Sequence, residues 1–220
     1  MTSLPLYWPL GADMAAIASG TAETPWQREV LERGFQLVPL DTLSPIAGLM
    51  ESEAETDPLA GLERLAVIQP RGLSPADNVA LDEWVRAGGH LLLALDPQLT
   101  GEYEFALGDP RRPTDMALVP PVLARWGLAG SFDPAQNREI GFVELPVGRV
   151  PVLVSGEASV EGDAGARNGC VANSSPVLAR CDAVGLGTVT YFEDAAVFEH
   201  RELAGENGVA IRALLDHAFQ

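Results

Sequence analysis

Residues 67–97 read VIQPRGLSPADNVALDEWVRAGGHLLLALDP and show the pattern of a strand, a capped helix and a second strand in unbroken order. Two apolar runs flank an amphipathic segment that carries helix signals at both ends. Ser74 is the predicted N-cap, Pro75 suits the first helical position, and Asp77 places a negative charge in the first turn. Gly88 and Gly89 end the helix. A helix between two apolar strands is nearly always a right-handed crossover, so the stretch predicts two parallel strands.

Apolar segments elsewhere extend this pattern into an α/β domain. Strands are predicted at 3–8, 35–40, 62–69, 90–95 and 188–194, and helices at 24–34, within 116–128 and at 207–219. Continuous apolar strands separated by amphipathic helices are typical of a mostly parallel sheet covered on both faces. Residues 139–192 are rich in Val and Gly and predict antiparallel strands, as an insertion or a sheet-edge extension. We expect one α/β domain spanning 1–220.

The composition excludes several classes of function. There are 31 acidic and 14 basic residues, a formal charge of −17, which disfavours binding to nucleic acid or to an anionic membrane surface. The sequence contains no lysine, so Schiff-base, pyridoxal and Walker-type phosphate chemistry are excluded, and we expect no cofactor. No apolar run is long enough to span a bilayer. The abrupt apolar start suggests an anchor outside this chain.

The two cysteines, Cys170 and Cys181, are eleven positions apart around a turn-rich segment. They form no CxxC motif, and the histidines at 90, 200 and 217 make no zinc pattern. We predict a disulfide, which would place the domain outside the cytoplasm; two buried free thiols are the alternative.

Ligands of open parallel sheets bind beyond the carboxyl ends of the strands. The predicted binding crevice contains Gln69, Arg71, Asp96 and Asp194. Alternatively, the carboxylates of Asp96 and Asp194, together with those of Asp41 and Glu193, could bind a divalent cation. Each of these acids also has an ordinary role in a turn or a helix cap, and we expect no metal ion.

Two other patterns suggest chemistry more weakly. Arg111 and Arg112 could clamp an anion or pair with neighbouring acids. His200 and Glu202 could activate a thiolate, but neither cysteine lies in a nucleophile elbow, and no Gly-x-Ser-x-Gly is present.

The quoted stretch resembles the auxiliary domain of bacterial ABC-type transport systems related to gliding-motility proteins. The matching positions are Pro70, Leu73, Ser74, Leu81, Asp82, Gly88, Gly89, Asp96 and Pro97, with Gly187, Asp194 and Asn207 near the end of the chain. The resemblance implies a flavodoxin-like, class I glutamine amidotransferase-like three-layer sandwich. Asp96 would stand where the amidotransferases have their catalytic cysteine, which implies a domain that is not an enzyme.

Three hypotheses about function follow. The first is a non-catalytic binding or assembly domain, periplasmic or otherwise extracytoplasmic and membrane-anchored, whose partner is an ABC transporter permease or another envelope component. The second is a hydrolase that uses the crevice carboxylates, with or without a metal. The third is a cytoplasmic small-molecule sensor with free thiols. The sequence favours the first, and the domain could also form homo-oligomers.

Overall fold

The structure is a computed structural model that describes residues 1–48 and 54–220. In chain order its elements are α1 (Met14–Ser19), α2 (Trp26–Leu31), β1 (Arg64–Ile68), α3 (Pro75–Arg86), β2 (His90–Ala94), α4 (Val122–Trp126), β3 (Leu128–Ser131), β4 (Gly141–Leu145), β5 (Gly148–Val152), β6 (Glu157–Val160), α5 (Gly162–Arg167), β7 (Cys170–Ala172), β8 (Leu178–Val184), β9 (Gly187–Phe192), α6 (Ala196–Glu199), α7 (Arg201–Ala204), a 3₁₀ turn (Glu206–Gly208) and α8 (Val209–Ala218).

The main sheet has five strands in the order β1-β2-β9-β8-β7. β1, β2 and β9 are parallel, while β8 and β7 add antiparallel strands at one side. Two small antiparallel pairs, β3 with β6 and β4 with β5, complete the described strands. The predicted class is therefore confirmed at the level of a mixed α/β fold, in which a parallel core is extended by antiparallel strands.

The β1–α3–β2 unit forms for the predicted reasons. The Ser74 hydroxyl accepts from the Asp77 N–H at 3.0 Å, and the Asp77 carboxylate accepts from the Ser74 N–H at 3.1 Å, which makes a complete capping box. At the other end, a Cβ on Gly89 would stand 2.5 Å from the Trp84 ring. Glycine is therefore required where the chain turns from α3 into β2.

Alternating strand residues send apolar side chains to both faces of the sheet. One face packs against α8, α2 and the β4–β5 pair through residues such as Leu92 and Phe192. The other packs against α3, α4 and the β3–β6 pair through Leu91, Leu93 and Tyr191, and Trp126 is fully buried there. The described elements thus lie in three layers, with the parallel strands in the middle.

The predicted disulfide is present. Cys170 in β7 and Cys181 in β8 face each other across the antiparallel ladder and are bonded. The hypotheses that require a free thiol, including the thiol-containing sensor, are therefore wrong. The disulfide is consistent with an extracytoplasmic location.

Two predicted strands are absent. Residues 3–8 and 35–40 form no strand. Just before the first of these segments, Thr2 makes a single parallel bridge with Ile68. Their apolar composition reflects packing beside β1 rather than membership of the sheet. The helix predicted at 24–34 is shorter, Trp26–Leu31, and Pro25 rather than Thr24 is its N-cap.

Within 1–48 and 54–220, no helix has the length and apolar character needed to cross a membrane.

Candidate functional site

Polar side chains meet at the carboxyl ends of the three parallel strands. Gln69 follows β1, Asp96 comes shortly after β2, and Glu193 and Asp194 follow β9. All four are buried, Gln69, Asp96 and Asp194 completely. Neighbouring parallel strands end at the same edge, and hydrogen bonds join Gln69 to Asp96 and Asp96 to the backbone of Ala195, next to Asp194. We call these four residues the carboxyl-end cluster.

Gln69 adopts a left-handed backbone conformation with φ of 44°. Its side-chain oxygen accepts from the Asp96 N–H at 2.8 Å, and its amide donates to the carbonyl oxygens of Asp96 at 3.1 Å and Thr114 at 2.8 Å. The side chain thus ties the end of β1 to the loop after β2 and to the segment around Thr114.

Asp96 joins the ends of two strands. One carboxylate oxygen accepts from the Gln98 N–H at 2.8 Å, and the other from the Ala195 N–H at 2.9 Å. Burial raises the pKa of Asp96 to about 7, although these two hydrogen bonds favour the charged form.

The Asp194 carboxylate also accepts hydrogen bonds from backbone groups. Its oxygens accept from the N–H groups of Leu153 and Ala196, both at 2.7 Å. Burial, followed by the charge of Asp96, raises the pKa of Asp194 well above its usual value. Gln69, Asp96 and Asp194 are thus brought together as predicted, but their side chains bond to backbone groups of this chain. Ligand binding by them remains a prediction.

Glu193 differs from its neighbours because its carboxyl group has few partners. The Tyr191 hydroxyl donates to Oε1, and no described residue donates to Oε2. The carboxyl group lies against Gly130 and Gly156, where a Cβ at either position would collide with it. Burial, followed by the charge of Asp96, raises the pKa of Glu193 to about 8. The raised pKa favours the protonated form of the Glu193 carboxyl group.

A second polar group connects the loop after β2 to Glu199 at the end of α6, a residue that the sequence did not indicate. Glu199 accepts from the N–H groups of Thr100 at 3.0 Å and Gly101 at 2.9 Å, and from the Tyr103 hydroxyl at 2.5 Å. Burial, then the Glu199 charge, raises the pKa of Tyr103. No local motif marks Glu199, since its partners lie almost a hundred residues earlier.

His200 contacts this group rather than a cysteine. Its Nε2 lies 2.8 Å from the Thr100 hydroxyl, and its Nδ1 lies 3.7 Å from the Glu202 carboxylate. Since Cys170 and Cys181 are disulfide-bonded, His200 and Glu202 have no thiolate to activate.

The predicted arginine sites have other surroundings. Arg71 is exposed and forms no ion pair with any residue of the described segments. Arg111 pairs with Asp109 at 2.7 Å, and Arg112 pairs with Asp115 at 2.6 Å. Both arginines therefore pair with neighbouring acids, which is the second of the two roles considered for them.

No group of three or more His, Cys, Asp or Glu side chains within the described segments is arranged to hold a metal ion. Asp41 is exposed and lies beside the edge strand β1, among residues that line a cleft.

That cleft has a volume of about 550 Å³, and we call it the β1 cleft. Its wall is made of residues from the N-terminal segment, from 35–41, from β1 and from the end of α8. The apolar side chains of the lining include Leu4, Leu6, Leu31, Phe35, Leu37, Leu40, Leu215 and Phe219. The predicted crevice, at the carboxyl ends of the strands, did not include this region.

Comparisons with known proteins reveal no family. No family model matches the chain, and no curated protein matches it. Among solved structures, the exo-β-1,4-mannosidase Op5Man5 from Opitutaceae bacterium strain TAV5 is 16% identical with a TM-score of 0.45, over 71% of this chain and 26% of the mannosidase. Gan42B, a GH42 β-galactosidase from G. stearothermophilus, is 13% identical with a TM-score of 0.39, over 60% of this chain and 19% of the galactosidase.

The mmIFT52 N-terminal domain is 15% identical with a TM-score of 0.42, over 70% of this chain and 75% of that domain. The chain thus spans only about a fifth to a quarter of the two glycosidases. With TM-scores below 0.5, these matches assign neither a substrate nor an activity to this chain.

The comparisons nevertheless correct two expectations. None of the structures named above bears the name of a glutamine amidotransferase or of a transport-system protein, and the expected resemblance to the transport-system auxiliary family was wrong. The expectation that the chain is not an enzyme was derived from the same resemblance, and it is corrected together with it.

Proposed function

We propose that this chain is an extracytoplasmic binding domain, and that the β1 cleft is its ligand site. The cleft itself carries the proposal. A volume of about 550 Å³, apolar side chains and a few polar groups at the rim are usual for a site that binds an apolar ligand. The disulfide supports the extracytoplasmic part, and the partner we propose is a component of the cell envelope, where the domain would be held by an anchor.

We infer a flavodoxin-like three-layer sandwich, supported by the β1–α3–β2 crossover and by helices on both faces of the sheet. In that arrangement β1 is the edge strand of the described sheet, and Thr2 bridges its outer side at Ile68.

Titration with the neutral fluorophore N-phenyl-1-naphthylamine tests the ligand site, because its emission rises in apolar surroundings. Leu37 is half-buried and lines the cleft, so Leu37→Asp should weaken binding at least tenfold by placing a charge there. Ile140→Asp is the matched control, since Ile140 is exposed and lies outside the cleft lining. Equal binding by both variants, or none by the unaltered protein, would reject the cleft as the site.

A second candidate function, carboxyl-dependent hydrolysis, is favoured by one observation. Glu193 is only 5% exposed, its pKa is raised to about 8, and Oε2 is left without a donor from the described residues. A protonated carboxyl group of this kind suits general acid catalysis near neutral pH. We propose that Glu193 would protonate the leaving group.

Chromogenic 4-nitrophenyl esters and glycosides test this candidate. Glu193→Gln should lower turnover by roughly a hundredfold, the usual worth of a general acid, while the exposed Glu83→Gln should not. Absence of turnover by the unaltered protein, or equal rates in the two variants, would reject hydrolysis of these substrates.

A further inference from the structure

We infer that a second pocket, formed beside α2, binds a free α-amino acid that has an apolar side chain. The pocket has a volume of about 410 Å³. Sites for small molecules usually occupy roughly 300–1,000 Å³. We call it the α2 pocket. It shares no lining residue with the β1 cleft, so this inference goes beyond the proposed function and does not depend on it.

The lining of the α2 pocket is partly apolar. Trp26, the first residue of α2, lines the pocket and also packs against the core. Pro5, Pro9 and Leu10 add apolar surface from the N-terminal segment, and Pro25 adds it from the end of α2. An apolar group of a ligand would be stabilised here, because its contact with these side chains removes apolar surface from water.

The polar lining includes a buried amide with a free acceptor. Gln27 is only 5% exposed, and its Nε2 donates to the Phe198 carbonyl at 2.9 Å. Because a carbonyl oxygen only accepts, this bond directs the amide nitrogen to α6 and leaves Oε1 on the other side.

Oε1 of Gln27 is open to a ligand. No described residue donates to it, yet it is not enclosed in the protein. Within the described segments, His217 Nδ1 is the only fully buried side-chain nitrogen or oxygen that lacks a partner. Since Gln27 lines the α2 pocket, Oε1 is available there to a group that donates a hydrogen bond.

Unpaired charges of both signs line the same pocket. Arg201 begins α7, Glu29 lies in α2, and Glu23 lies just before that helix. All three are exposed, and none forms an ion pair with any residue in 1–48 or 54–220. Elsewhere in the chain neighbouring charges do pair, as Arg111 does with Asp109. The charges around the α2 pocket thus remain free for a ligand.

These groups together match a zwitterion. A carboxylate would accept two parallel hydrogen bonds from the Arg201 guanidinium, a geometry that suits arginine. An ammonium group would donate to Gln27 Oε1 and to the Glu29 carboxylate. The apolar side chain would pack against Trp26. A neutral sugar would leave the charges of both signs unpaired, which favours an amino acid.

Isothermal titration calorimetry with three related ligands tests this inference. L-phenylalanine, 2-phenylethylamine and 3-phenylpropionate share a phenyl group, but the amine lacks the carboxylate and the propionate lacks the ammonium group. L-phenylalanine should bind saturably, and each of the other two should bind at least about tenfold more weakly, as expected for a lost charge-assisted hydrogen bond. Glucose should not bind.

Two variants assign the charges. Arg201→Gln should weaken binding of L-phenylalanine about tenfold but should not weaken binding of 2-phenylethylamine, which has no carboxylate. Glu29→Gln should weaken binding of both ligands that carry an ammonium group and should not weaken that of 3-phenylpropionate. Arg212→Gln is the matched control for Arg201→Gln, since Arg212 is exposed and lies outside the pocket lining.

Several results would overturn the inference. These are no binding of L-phenylalanine, equal binding of the three phenyl ligands, binding of glucose in place of L-phenylalanine, and equal effects of Arg201→Gln and Arg212→Gln. The comparison of ligands requires no change in the protein, so it remains decisive whether or not a variant folds.

Discussion

The carboxyl group of Glu193 occupies the space that a side chain at Gly130 would need. Gly130 lies in β3, on the small β3–β6 pair, whereas Glu193 follows the central strand β9. The glycine thus allows the small strand pair to cover a buried acid.

Gly130→Ala should destabilise the protein by about 1–3 kcal/mol, since the added methyl group overpacks the site. The same change made together with Glu193→Ala should cost clearly less, because the colliding carboxyl group is gone. Urea unfolding of the four proteins in this double-mutant cycle measures the coupling. Additive effects would show that the two residues do not share the space.

Glu193 should also make stability depend on pH. Its pKa is raised from 4.5 to about 8 in the folded state, so the folded protein keeps a proton that the unfolded chain releases. The resulting stability is fully present below about pH 4.5 and is lost as pH rises through about 8. Asp96, with its pKa raised to about 7, should contribute a slope of the same sign at lower pH.

Glu193→Gln should therefore gain stability relative to the unaltered protein as pH rises from 5 to 8.5, by on the order of 1–3 kcal/mol. Urea unfolding at several pH values measures the difference. Glu83→Gln, at an exposed position, should follow the unaltered protein throughout. A constant difference between Glu193→Gln and the unaltered protein would contradict the raised pKa.

Removing the disulfide should lower the free energy of unfolding by about 3 kcal/mol, the value expected for a closed loop of this length. The double change Cys170→Ser with Cys181→Ser tests this by urea unfolding with and without a reducing agent. The unaltered protein should lose stability on reduction, while the double variant should not respond. Equal stability of the oxidised protein and the double variant would show that the bridge is dispensable.

Ser74→Ala should cost about 1 kcal/mol, because it removes the hydroxyl that accepts from the Asp77 N–H. Thermal unfolding measures the loss. Ser74→Thr should retain most of the stability, since threonine also caps helices. Similar losses in both variants would indicate that the capping hydrogen bond is not the cause.

Local signals predicted the centre of the fold, and long-range contacts decided the rest. Ser74, Asp77 and Gly89 act within α3 and its ends, so β1, α3 and β2 were correctly predicted. The segments 3–8 and 35–40 have equally strand-like composition, but they lack ladder partners, and pairing is not encoded in a short window.

In the candidate site, too, the pattern of strand ends was predictable and the long-range contacts were not. Gln69, Asp96 and Asp194 were predicted to meet because strand ends meet, and they do. Their hydrogen bonds to backbone groups could not be predicted, since Ala195 and Leu153 come from other parts of the chain. The β1 cleft was missed because it exists only where predicted strands are absent.

Titration of the unaltered protein and of Leu37→Asp with N-phenyl-1-naphthylamine is the decisive measurement for the β1 cleft. We expect saturable binding by the unaltered protein and at least tenfold weaker binding by Leu37→Asp, because a charge then lies in the apolar lining. Ile140→Asp, at an exposed position outside the cleft lining, should bind the fluorophore as the unaltered protein does. Absence of binding by the unaltered protein, or equal binding by the two variants, would contradict a ligand site in the cleft.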